Sequence, residues 1–187
     1  MENHQLILRA QAGDREAFAG LFEQYKNLVY RSAWLMLGDR HDAEDVLQEV
    51  FVLVHRSLAG FDPQKGAFST WLHRITINQC LNQRRRHNPV SVTLEDGAPT
   101  SDFPGSQLAD KEAVWQALHG LSDKQQAVLV LRYYWELSYA EVAQILEIPL
   151  GTVKSRLDLA LRTLRKALDE QEARSGSVPN VEVTNEL

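Results

Sequence analysis

The chain has 187 residues, 44% of them hydrophobic, and a formal net charge of −5. That composition excludes general disorder and allows one ordinary domain or two small ones with a packed core. A single cysteine, Cys80, excludes an internal disulfide and a cysteine-rich zinc site, and the histidines show no ligand-like spacing, so neither a metal nor a cofactor is expected. No apolar run approaches the roughly 18 residues a membrane span needs. The first residues lack the basic start and apolar stretch of a signal peptide, so the expected location is cytoplasmic.

In chain order the periodicity is helical almost throughout. A first helix is expected over about His4–Ala12, stopped by Gly13. Asp14 then caps a second that runs to about Leu37, before Gly38. A third covers about Asp42–Leu58, with Val46, Leu47, Val50, Phe51 and Val54 as its core stripe. Gly60–Ser69 reads as a loop. A fourth helix runs from about Thr70 to His87 and is ended by Asn88-Pro89. The segment from Asn88 to about Asp110 holds three prolines and two glycines and no stripe, and reads as a linker.

Beyond the linker, Ser122-Asp-Lys-Gln125 and Ser138-Tyr-Ala-Glu141 match capping boxes. They open helices expected at about Asp123–Trp135 and Tyr139–Leu146. Glu147-Ile-Pro-Leu-Gly151 is a short turn, with Pro149 suited to a helix start, and a last helix follows to about Leu168. Two helices joined by so short a turn form a helix-turn-helix candidate, with the second helix in the major groove. Residues after Gln171 read as a disordered acidic tail.

The charge is unevenly placed. No acid occurs between Ala67 and Leu94, which holds Arg74, Arg84, Arg85 and Arg86. Between Ile148 and Leu168, five basic residues face only Asp158. Local basic patches bind phosphate even in an acidic chain. On the third helix, by contrast, Asp42, Glu44, Asp45, Gln48 and Glu49 point away from the apolar stripe. Acids near a helix N-terminus also favour the helix dipole, which accounts for Asp42 and Asp45 better than for Glu49.

Four segments together carry a resemblance: Asp42-Ala-Glu-Asp-Val-Leu-Gln-Glu-Val-Phe51, Phe68-Ser-Thr-Trp-Leu-His-Arg-Ile-Thr-Ile-Asn78, Leu137-Ser-Tyr-Ala-Glu-Val-Ala143 and Gly151-Thr-Val-Lys-Ser-Arg156. In this order and spacing they resemble the signatures of the extracytoplasmic-function (ECF) sigma factors of bacterial RNA polymerase, in the sigma-70 family. The resemblance covers about Gln5–Ala167. It implies an all-α chain of two small helical domains: sigma region 2 over 1–88, a flexible linker over 89–110, the sigma region 4 helix-turn-helix over 111–170, and the tail over 171–187.

The resemblance also implies roles. Asp42, Glu44, Asp45, Gln48 and Glu49 would dock on the clamp of the polymerase's largest subunit. Phe61, Lys65, Phe68, Trp71, Arg74, Asn78, Arg84, Arg85 and Arg86 would engage the minus-ten element, with the loop and Asn78 at a flipped base. Trapping an unstacked base needs aromatic faces and cations that track phosphates, though for Trp71 core packing is the favoured reading. Thr152, Lys154, Ser155, Arg156, Leu159, Arg162 and Lys166 would meet the minus-thirty-five element. Core polymerase, promoter DNA and an anti-sigma factor are the implied partners, with no small-molecule substrate and no catalytic residue. Two features depart from relatives. Asn82 stands where an acid is common, and Leu157-Asp158-Leu159-Ala160 stands where Leu-His-Arg-Ala is common. The competing readings are a helix-turn-helix regulator that works without polymerase, which would need neither the docking helix nor the aromatic-basic helix, and an enzyme, for which no nucleophile–base pair or phosphate loop is present.

Overall fold

Strong local signals place the helices of the first half. The computed structural model describes residues 2–87 and 108–175. Helix α1 (Glu2–Gln11) leads into α2 (Arg15–Leu37). Asp14 caps α2, its Oδ1 accepting from the amides of Glu16 at 2.9 Å and Ala17 at 3.1 Å. Gly38 ends it with φ at 81°, a left-handed conformation that glycine adopts at little cost. Helix α3 (Arg40–Ser57) closes with a 3₁₀ turn at Leu58–Gly60, and α4 (Phe68–His87) begins two residues earlier than the periodicity implied.

The second half holds α5 (Leu108–His119), α6 (Asp123–Leu129), α7 (Tyr139–Leu146) and α8 (Leu150–Ser175). Helix α5 is an element the periodicity did not reveal. Trp115, Ala117 and Leu118 are its buried apolar residues among those described, a short set before Gly120 interrupts. The helix expected to run unbroken to Trp135 instead changes at Val130–Tyr134 into a π-helical turn. Both capping boxes form: Gln125 Oε1 accepts from the Ser122 amide at 3.0 Å and Glu141 Oε2 from the Ser138 amide at 2.8 Å. Pro149 lies one place outside α8, where its carbonyl accepts from Thr152 and Val153. Helix α8 continues past the expected end near Leu168 to Ser175. The linker segment 88–107 and the tail from 176 lie outside the described residues.

In the first half α2 packs on α1, α3 and α4, and α3 packs on α4. In the second, α8 is the spine for α5, α6 and α7. Val46, Val50, Phe51 and Val54 are buried as the stripe required, with Leu47 half-buried. Each fully buried side chain of this size contributes about 1.5–3 kcal/mol. The two halves do not stay apart: α4 meets α7 and α2 meets α6, so one contiguous apolar core crosses both. No helix among the described residues is long and apolar enough to cross a membrane.

Candidate nucleic-acid interface

The Gly60–Ser69 segment folds into a walled cavity of about 250 Å³, lined among others by Phe61, Lys65, Thr70, Trp71 and Arg74, with Gln144 entering from α7. Gln11 anchors the loop to α1, its Nε2 donating to the carbonyls of Leu58 at 2.9 Å and Phe61 at 2.6 Å. Asp62 turns the chain, accepting from the Gln64 amide through Oδ1 and from the Lys65 amide through its carbonyl. Phe61 and Trp71 lie with ring centroids 5.1 Å apart.

Phe68 requires a correction. It is only 5% exposed, packed against Tyr25, Phe61 and Trp71. It supports the cavity from behind and offers no face to a ligand. Trp71 is half-buried and combines both readings, packing on the aromatic cluster while forming a cavity wall.

Along α4, Arg74 and Asn78 are both exposed one turn apart, so they share a side of the helix. The Arg74 guanidinium lies 2.6 Å from the Glu147 carboxylate. At the basic end, Arg84 meets Asp123 at 2.5 Å and Arg86 meets Glu49 at 3.0 Å, while Arg85 is exposed. Nothing in the sequence signalled Glu147 and Asp123 as partners, because each lies across the linker from its arginine.

The acidic helix also differs from expectation. Asp45 and Gln48 are exposed, but Asp42, Glu44 and Glu49 are half-buried and engaged. Asp42 Oδ1 accepts from Gln83 Nε2 of α4 at 3.0 Å, and Glu44 pairs with Arg40 at 2.9 Å. Asp42 and Glu49 are thus tied to α4, while the Glu44 pair stays within α3 at the surface.

The helix-turn-helix forms as the caps and turn implied. Val153, Leu157 and Ala160 of α8 are buried with Val142 and Ile145 of α7. Glu147 takes the left-handed conformation in the turn, with φ at 52°. Lys154, Ser155, Leu159, Arg162 and Lys166 are exposed on α8, and Thr152 and Arg156 are half-buried. Leu159 is 54% exposed. Leu161 is 39% exposed, at the edge of the packed stripe. Arg162 is bound to the Asp158 carboxylate, which the guanidinium holds below the usual carboxylate range.

Cys80 is buried, and burial pushes its thiol up to about 12, so it is an inert packing group. Among the described residues no cluster of histidine, cysteine or acid could hold a metal ion.

Known proteins align with both halves. The Sigma-70 region 2 family model matches residues 21–89, and the Sigma-70, region 4 model matches residues 117–166. The ECF RNA polymerase sigma factor SigW of Bacillus subtilis is 35% identical over 178 residues, covering 87% of this chain and 94% of SigW. The RNA polymerase sigma-H factor of Pseudomonas aeruginosa is 34% identical, covering 89% of this chain and 94% of that protein. Among solved structures, CnrH in complex with the cytosolic domain of CnrY superimposes with a TM-score of 0.70 at 24% identity, covering 91% of this chain and 99% of CnrH. RpoE of Bartonella quintana, solved with the anti-sigma factor NepR, gives 0.69 at 24% identity over 81% of this chain and 96% of that one. Two helical units carrying sigma regions 2 and 4 define the class. The chain belongs to the ECF RNA polymerase sigma factors, and its work is promoter-directed transcription initiation.

Proposed function

We propose that this sigma factor divides its work as follows. The helices before the linker, about 1–88, dock on core polymerase and capture the minus-ten element; the helices of about 111–170 read the minus-thirty-five element. Asp45 and Gln48 form the exposed centre of the docking face, on the clamp of the largest subunit, with Asp42, Glu44 and Glu49 at its edge. Phe61, Lys65, Trp71 and Arg74 enclose a base flipped from the minus-ten strand, Asn78 reads a base edge, and Arg84, Arg85 and Arg86 follow the backbone. Thr152, Lys154, Ser155, Arg156, Leu159, Arg162 and Lys166 meet the major groove.

The observation that carries this reading is the cavity: it is lined by the adjoining rings of Phe61 and Trp71 and by Asp62, Lys65 and Arg74, and it opens beside the basic side of α4. Stacking on such faces is worth about 1–3 kcal/mol per base, while the cations serve phosphate. The chain acts in the cytoplasm as a non-catalytic subunit, the bond-forming chemistry belonging to core polymerase. An anti-sigma factor restrains it. Support comes from the Bartonella relative of like fold, which was captured with one.

Transcription in vitro with core polymerase and a promoter library tests the reading. Selection of promoters sharing two spaced elements is the expected result. Tight, specific promoter binding by the chain alone, with no transcription when core is added, would return it to the class of polymerase-independent regulators.

A further inference from the structure

We infer that Asn82 is a further base-reading residue of this sigma factor. It selects adenine in the major groove of the still-paired DNA upstream of the flipped base, two base pairs from the position read by Asn78. This inference rests on the assignment of α4 to the minus-ten element given above.

Helix α4 spends most of its polar side chains on the fold. Gln83 Nε2 donates to Asp42 Oδ1 of α3 at 3.0 Å, and the Thr76 hydroxyl donates to the Leu72 carbonyl at 2.9 Å. Arg86 is paired with Glu49. Across the seam between the two halves, Arg74 is paired with Glu147 and Arg84 with Asp123. The buried polar side chains Ser32 and Gln126 are likewise held in that seam, Ser32 Oγ accepting from Trp135 Nε1 at 2.9 Å and Gln126 Nε2 donating to the Leu35 carbonyl at 2.6 Å.

Asn78, Asn82 and Arg85 stand apart from this pattern. All three are exposed, and among the described residues none of them has a hydrogen-bond or ion-pair partner. At about 100° per residue they fall within an arc of about 60°, so they form one line along the helix. Asparagine is a weak helix former, because its amide competes for backbone groups and is better used at caps and turns. Asn78 and Asn82 lie inside Phe68–His87 and cap neither end. The helix gains nothing from two exposed interior asparagines, and their amides are free for a ligand. The stretch from Ala67 to Leu94 holds no acid, so a DNA backbone meets no repulsion from it.

The chemistry of a primary amide selects the base. In the major groove it donates to adenine N7 and accepts from the N6 amino group. Guanine presents two acceptors there, thymine an acceptor and a methyl group, and cytosine a donor without an adjoining acceptor, so none of them satisfies both ends of the amide. The helix sets the register. Four residues advance about 6 Å at ~1.5 Å each, close to the about 6.8 Å of two base steps at ~3.4 Å. With α4 lying along the groove, Asn78 and Asn82 face bases two steps apart. The cavity for the flipped base is at the Trp71 end of α4. The other end leads through the linker to the half that reads the minus-thirty-five element. Opening must run from the flipped base toward the start site, so Asn82, nearer the linker, lies on the paired side. Arg85, three residues further on the same line, meets the adjoining phosphate and holds the register.

The test reconstitutes the wild type and each variant with core polymerase and selects from a promoter library randomised around the minus-ten element. The wild type should favour adenine roughly tenfold or more at one upstream position. Asn82→Ala should level the four bases there. Asn82→Asp, whose carboxylate only accepts, should shift the preference to cytosine, which offers its N4 amino group. Asn78→Ala should level a different position, two base pairs nearer the flipped base. On the selected promoter, 7-deazaadenine at the Asn82 position keeps its base pair but lacks the N7 acceptor. The wild-type holoenzyme should bind this promoter severalfold more weakly than the natural one, and the Asn82→Ala holoenzyme should bind both equally. Wild-type base preference at every position in the Asn82→Ala selection, or equal affinity of the wild type for the two promoters, overturns adenine reading by Asn82 and leaves the minus-ten assignment intact. A wild-type holoenzyme that selects no promoter overturns that assignment, and the role of Asn82 with it.

Discussion

Single side chains decide what each face can recognise. Leu159 is 54% exposed on α8, beside Arg162. An apolar contact with a thymine methyl is available only in the major groove. Leu159→Ala should therefore weaken preference at one thymine of the minus-thirty-five element with little change in the salt dependence of binding. Leu159→Arg should bind DNA more tightly in general and discriminate less, because it adds a phosphate-seeking charge. A promoter-library selection on both variants checks this, and an unchanged base preference in each would return Leu159 to solvent. Asn78 is exposed one turn beyond Arg74, where its amide can both donate to and accept from a base edge. Asn78→Ala should cost about 1–3 kcal/mol of open-complex stability while affinity for core polymerase stays the same. Permanganate footprinting of the opened strand reads the first quantity, and normal opening on every promoter would make Asn78 an ordinary surface amide.

At the scale of an element, α3 serves two neighbours. Its apolar stripe of Val46, Val50 and Val54 is fully buried, and Asp42 and Glu49 are tied to Gln83 and Arg86 of α4. Only Asp45 and Gln48 of the five polar residues assigned to docking are fully turned outward. Asp45→Arg with Gln48→Arg should therefore abolish binding to core polymerase and leave thermal unfolding within a few degrees of wild type, since neither side chain supports the bundle. Retained affinity in a pull-down with core would reject α3 as the docking helix. Substituting Glu49 is a poorer test, because it also releases Arg86.

For the whole molecule, the seam carries two imidazoles that are buried in the neutral form. Burial lowers His73 to about 4. It does the same to His119, helped by the nearby charge of Arg84. His73 Nδ1 and His119 Nε2 are buried without a hydrogen-bond partner among the described residues, and each ring lies against a tryptophan. A histidine whose native pKa lies below its unfolded value of about 6.5 binds fewer protons when folded. The stability it supports is fully present above about pH 6.5 and is lost as pH falls toward 4. Chemical unfolding between pH 7.5 and 4.5 should show a falling midpoint across this window. His119→Gln should flatten that fall. A midpoint independent of pH in the wild type would mean that both rings reach water.

The sequence alone determined the helices whose ends are written locally. Asp14 and Gly38 bracket α2, two capping boxes open α6 and α7, and a short turn produces the helix-turn-helix, all because caps and turns are satisfied within a few residues. The order of four motifs likewise made the family legible. Helix α5 was not legible, since its burial depends on α8, distant in sequence, and on Trp34, across the linker, stacking on Trp115. Nor could spacing along one helix distinguish Phe68, which is core, from Trp71, which also lines the cavity, or show that Arg74 and Arg84 face acids of the other half. Those outcomes depend on which surfaces meet at long range, and a seam made of residues like Ser32 and Gln126 has no periodicity to reveal it. Only the tertiary structure brings the two halves together, because the groups that hold the seam are complementary in space and unrelated in sequence.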